Sequence, residues 1–148
     1  QIQVAVVYVP LMKFMFTAIH EQGAKLNGKP IHVTTQTDIR QAIFACDWPR
    51  KQALRDSQLR ALTFVAQYAH TIRSLGCASL NLAAVAAGWL DIYFNYSLMP
   101  WDTAAGSLIL QEAGGHITAL DGSAWQITDR RILASNGYLH QEGQHIIG

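Results

Sequence analysis

The hydrophobic pattern changes character near residue 38, and this change limits the chain to folds that join an antiparallel sheet to an α/β body. Before that point, short β-forming runs alternate with turn residues. Ile2–Val9 is rich in Val and Ile, which suit a pleated, half-buried surface, and Pro10 stops it. Lys13–Ile19 follows with the β-formers Phe14, Phe16, Thr17 and Ile19. Asn27-Gly28 supplies the positive φ angles of a type I′ turn, so Ala24–Leu26 is expected to pair with Pro30–Val33. Residues 1–36 thus read as antiparallel strands, and 37–148 as an α/β domain whose mixed sheet is flanked by helices.

Within that second part, Gln41–Cys46 is a candidate strand ended by Asp47 and Pro49. Arg50–Arg73 places Leu54, Leu59, Leu62, Val65 and Ala69 at near-helical spacing, which predicts a long surface helix. Ser74–Cys77 reads as a short extended crossing. Ala78–Ala87 is a helix closed by Gly88, the residue type that most readily takes the left-handed end position. Leu90–Tyr96 returns to β character, and Trp101–Ala113 is a second Ala/Leu/Ile helix ended by Gly114-Gly115. His116–Leu120 and Ile132–Ser135 look like strands, and Tyr138–Ile147 like a closing helix.

Charge and apolar content narrow the classes of function. The 148 residues are 50% hydrophobic and 14% charged, the opposite of a disordered chain. A net charge of +1 with dispersed Lys and Arg argues against nucleic acid or an anionic membrane as partner. The longest apolar runs, Val4–Met12 and Leu82–Leu90, are less than half of the roughly 20 residues a membrane span needs. Cys46 and Cys77 lie in no metal-like or redox-like spacing and read as buried thiols of a reducing, cytoplasmic setting. The opening Gln1-Ile2-Gln3 lacks the basic region of a signal peptide.

No nucleophile elbow, phosphate loop, dinucleotide fingerprint or paired zinc-ligand helix occurs. Two clusters remain. Asp102 lies in Met99-Pro100-Trp101-Asp102-Thr103-Ala104-Ala105-Gly106, at a helix mouth. It is either a helix N-cap or a carboxylate projected into a cleft to hold a hard cation. Glu112 cannot complete such a cation site from the same helix, because ten residues separate the two by roughly 15 Å. The second cluster is Ile72-Arg73-Ser74-Leu75-Gly76-Cys77-Ala78-Ser79-Leu80, where small residues at a helix entrance serve either close packing or exposed N–H groups for a ligand. Asn95 and Tyr96 end the strand that follows.

Together these segments resemble the inositol monophosphatase family. The run Trp101-Asp102-Thr103-Ala104-Ala105-Gly106 followed by Glu112-Ala113-Gly114-Gly115 is its signature, and Val85-Ala86-Ala87-Gly88-Trp89-Leu90-Asp91 supports it. The resemblance implies a layered, carbohydrate-phosphatase-like fold, often dimeric, and a Mg²⁺-dependent, lithium-sensitive phosphomonoesterase. It implies that Asp102 binds metal, and that Gly76, Cys77, Ala78 and Asn95 meet a phosphorylated polyol or sugar. Asn95 stands where many members carry glutamate, and Cys77 where serine is common, so inositol, sugar and nucleotide phosphates all remain open as substrates. The family's Glu-Glu segment and Asp-Pro-x-Asp-Gly-Thr motif, which supply most metal carboxylates, are absent. The chain is therefore expected to be the C-terminal portion of such an enzyme, its first strands a remnant of a larger N-terminal sheet, and inactive without the missing portion. The alternatives are a truncated relative that binds a polyol phosphate or a protein without catalysis, and a fragment that pairs through the sheet edge near Ile2–Val9.

Overall fold

Four strands form the first sheet in a computed structural model that describes residues Gln1–Gly148. They are β1 (Val4–Val9), β2 (Phe14–Ile19), β3 (Ala24–Leu26) and β4 (Lys29–Pro30), antiparallel and adjacent in chain order. β1 and β2 run in register from Val4 opposite Ile19 to Val9 opposite Phe14. Period-two alternation sends Ala5, Val7, Phe16 and Ala18 inward. Val4, Val6, Tyr8, Met15 and Ile19 face outward and stay exposed. Asn27 (φ 49°) and Gly28 (φ 80°) make the expected turn, and the Asn27 side chain accepts the Met15 N–H at 2.8 Å.

The partner strand of that hairpin is shorter than Pro30–Val33. Pairing ends at Lys25 opposite Pro30 and Leu26 opposite Lys29. Beyond Pro30 the chain turns inward, where the Val33 N–H satisfies the Ala113 carbonyl at a helix end and Ile31 and Val33 pack on the core. Thr34 and Asn136 then tie this crossing to Asp91, a buried carboxylate that also accepts the Ile43 N–H at 2.8 Å.

The second sheet takes β5 (Ile43–Cys46), β6 (Thr71–Arg73), β7 (Ile92–Asn95), β8 (His116–Ala119) and β9 (Ile132–Ser135) in the order β6-β5-β7-β9-β8. The first three are parallel, while β9 and β8 are antiparallel to their neighbours. β7 and β9 are buried at every position, because helices or the other sheet's helices cover both faces. Helices α2 (Ala78–Ala86) and α3 (Pro100–Glu112) form the layer between the sheets, and α1 (Arg55–Tyr68) and α4 (His140–Ile147) cover the far face of the second. One apolar core joins Val7 and Phe16 through Leu82, Val85, Ile109 and Leu110 to Tyr93, Ile132 and Ala134. A second places Phe44, Phe94 and Leu133 under Ala61, Val65 and Ile147.

The long helix expected over Arg50–Arg73 is divided. Only Arg55–Tyr68 is α-helical, and Thr71–Arg73 is a strand, because β5 offers it a free edge with Phe44 opposite Ile72. Ser74–Cys77 is accordingly the loop after that strand, not the crossing itself. The buried stripe of α1 is Gln58, Ala61 and Val65, whereas Leu59 is exposed. Cys77 is also exposed, contrary to its reading as a core thiol; Cys46 is buried, and burial pushes its thiol up to about 11.

Candidate functional site

The carboxyl ends of β5 and β7 meet the N-terminal ends of α2 and α3 at one cleft of about 510 Å³. Crevices at strand ends of this kind are where open α/β sheets bind ligands. Gly76, Cys77, Ala78, Asn95 and Asp102, distant in sequence, all line it. So does Asp47, which sequence reasoning took only as a strand breaker. Its signal was its place directly after a parallel strand, since such ends open on the crevice.

Asp102 stands in the first turn of α3, with Pro100 ahead of it at a position that needs no N–H. Met99, not Asp102, holds the N-cap, and Asp102 reaches back so that its Oδ2 accepts the Met99 N–H at 2.9 Å. The second carboxylate oxygen accepts no hydrogen bond from the protein. Thr103 and Gly106 behind it are buried against neighbouring elements, which fixes the helix mouth.

The Gly76 turn is held from β5. Gly76 adopts φ 74°, a left-handed conformation natural to glycine, and donates its N–H to Asp47 Oδ1 at 2.8 Å. Cys77 is the N-cap of α2 and makes no capping bond with its side chain; its Sγ lies 3.3 Å from Ser79 Oγ. The first turn of α2, from Ala78 onward, presents N–H groups that a helix leaves without internal partners. Asn95 is half committed: its Oδ1 accepts the Ser97 N–H at 2.9 Å and its Nδ2 donates to the Tyr93 hydroxyl at 3.0 Å. One donor and one acceptor site of the amide stay free.

Arg50, Lys51 and Arg130 also line the cleft, and none of them forms an ion pair within the chain. Trp48 and Trp101 stand exposed beside them, Trp101 at 74%. No group of three or more His, Cys, Asp or Glu side chains lies close enough to hold a metal ion. The residues present therefore fit a share of a cation site, one carboxylate oxygen, and not a whole one. Glu112 is remote from the cleft. It accepts the Glu21 and Gly23 N–H groups, each at 2.8 Å, and with His20 clamps the β2–β3 turn to α3.

The fold is that of inositol-monophosphatase-type proteins. The extragenic suppressor protein suhB of Bartonella henselae superposes with a TM-score of 0.94 at 30% identity, over 98% of this chain and 56% of that one. A staphylococcal IMPase-II, solved with inositol monophosphate and separately with 2′AMP, superposes at 0.85 in the first complex with 28% identity, over 97% of this chain and 55% of that one. The model of the inositol monophosphatase family matches residues 1–147, and the chain belongs to this family. Inositol monophosphatase 2 of Solanum lycopersicum is 38% identical over 139 residues, which cover 92% of this chain and 52% of that protein. The chain spans about half the length of the curated relatives it matches. No helix is long and apolar enough to cross a membrane.

Proposed function

We propose that these 148 residues are the C-terminal portion of a metal-dependent phosphomonoesterase acting on inositol or sugar phosphates. What carries the reading is the convergence of Asp102, with a free carboxylate oxygen, on the cleft that also holds Gly76, Cys77, Ala78 and Asn95. Asp102 would give one oxygen to Mg²⁺, which prefers several fixed oxygens and sheds water reluctantly. Held there, the cation would supply the Lewis acidity that activates water and offsets charge on the leaving oxygen. Gly76, Cys77 and Ala78 meet substrate hydroxyls, and the free half of the Asn95 amide adds one donor and one acceptor. The unpaired Arg50, Lys51 and Arg130 draw the phosphate dianion to the mouth.

The other metal ligands belong to protein outside these residues, so hydrolysis by this chain alone is expected to be negligible. The check is phosphate release from inositol 1-phosphate with Mg²⁺. Turnover by the isolated chain that Asp102→Ala abolishes would refute the reading. A second reading, a non-catalytic relative that binds another protein, is favoured by the exposed Val4, Val6, Tyr8, Met15 and Ile19 on the outer face of the first sheet. The same face, beside the unpaired edge of β1, supports a homodimer.

A further inference from the structure

We propose that Asp47 is a positioning residue for polyol recognition, holding the Gly76–Ala78 turn and the Asn95 amide in the arrangement that meets substrate hydroxyls. The proposal rests on the functional reading above and adds a residue to it. Asp47 follows β5 directly. Its Oδ1 accepts the Gly76 N–H at 2.8 Å and, at 3.4 Å, the Ser74 hydroxyl. Its Oδ2 accepts from Asn81 Nδ2 at 2.8 Å and from the Tyr93 hydroxyl at 3.0 Å. A carboxylate has about four lone-pair sites, so this one is saturated by the protein. It keeps no capacity for a metal ion or a substrate hydroxyl, although it lines the same cleft as Asp102. Arg50 and Lys51 line that cleft too, yet neither pairs with it; oriented neutral donors alone compensate its charge.

Two arms leave this carboxylate, one for each wall of the cleft. The first fixes the Gly76 turn through its N–H and, through Asn81, the N-terminal end of α2. Asn81 is fully buried and its Nδ2 also donates to the Cys77 carbonyl at 3.1 Å. The second arm runs through Tyr93 to Asn95. A carboxylate can only accept, so the Tyr93 hydroxyl must donate to it and turn a lone pair toward Asn95. Asn95 must then present its NH₂ to Tyr93 and its carbonyl to the Ser97 N–H, as found. The polarity of the whole relay, and hence which atoms Asn95 shows to substrate, follows from the charge at position 47. Asp47→Asn keeps the shape but sets an NH₂ against the Gly76, Asn81 or Tyr93 donors, and the relay loses its single direction.

The test is a titration of the chain with inositol 1-phosphate and with inorganic phosphate in the presence of Mg²⁺, read by the fluorescence of Trp48 and Trp101 at the cleft. Asp47→Asn is expected to weaken inositol 1-phosphate roughly tenfold, the worth of one well-placed hydrogen bond, and to leave inorganic phosphate within about twofold. Tyr93→Phe, which cuts only the Asn95 arm, is expected to give a smaller, equally selective loss and serves if Asp47→Asn does not fold. Equal losses for both ligands, or unchanged inositol 1-phosphate affinity, overturn the proposal. Failure of the unmodified chain to bind inositol 1-phosphate also overturns the proposal but leaves the functional reading standing, since that reading places most of the metal site outside these residues.

Discussion

His140 shows at the scale of one residue how burial sets chemistry. Its two ring nitrogens lie 3.0 Å from Thr118 Oγ1 and 2.9 Å from Ser135 Oγ, with the His116 ring stacked edge-on against it. Burial, and secondarily the charge on His116, push it down to about 4. A histidine whose folded-state value is depressed takes up its proton first in the unfolded chain. Its contribution to stability is therefore complete above about pH 6.5 and falls as pH drops through the window to about 4. Between pH 7 and pH 5 the loss is expected to be about 1–2 kcal/mol, allowing for partial screening by solvent. Urea unfolding of the chain and of His140→Leu at both values checks this: the same pH dependence in the variant would remove His140 as its source. In the sequence this residue was one of six scattered histidines; only the fold supplied its hydroxyl partners and its neighbour. Asp47 makes the same point, since no pattern in the chain announces that Gly76, Asn81 and Tyr93 will converge on it.

At the scale of elements, the pairing of α2 with α3 sets the two helix ends that open on the cleft. Its sequence trace was plain: Ala-Ala-Gly in one helix and an Ala-rich partner in the other let the axes approach closely. Gly106 is where they meet, for a Cβ there would lie 2.6 Å from Leu82 Cβ. Gly106→Ala is expected to lower stability by about 1–2 kcal/mol, overpacking outweighing the gain of about 1 kcal/mol in helix propensity. Leu82→Ala in the same chain is expected to recover little of that loss, because alanine keeps the Cβ that lies 2.6 Å away and its truncation opens a core cavity. An unchanged unfolding midpoint for Gly106→Ala alone would show that the layer yields. Boundaries were less legible than elements. The expected helix over Arg50–Arg73 runs through β6 because Ile72 falls at helical spacing from Val65 and Ala69 and suits a strand equally; the open edge of β5 chose the strand.

The whole molecule stacks sheet, helices, sheet and helices, but covers only one face of its first sheet. Val4, Val6 and Tyr8 are exposed at 63%, 54% and 56%, on a strand whose far edge has no partner. Faces and edges of this kind drive association. The chain is expected to self-associate at micromolar concentration, and Val6→Lys to shift it toward monomer, as measured by light scattering. A monomer at all concentrations would argue that the exposed face alone is too small to hold two copies together.

Local patterns by themselves determined the antiparallel start, the Asn27-Gly28 turn, helices α2, α3 and α4, and the helix mouth that carries Asp102. Each depends on neighbours in the chain: alternation, turn angles, proline and glycine at the ends. Tertiary structure alone decided that Gly76, Asn95 and Asp102 share one cleft, that Cys77 faces solvent, and that Asp47 underlies the site. Those are relations between residues on separate elements. Only the stacking of layers brings such elements within hydrogen-bond reach.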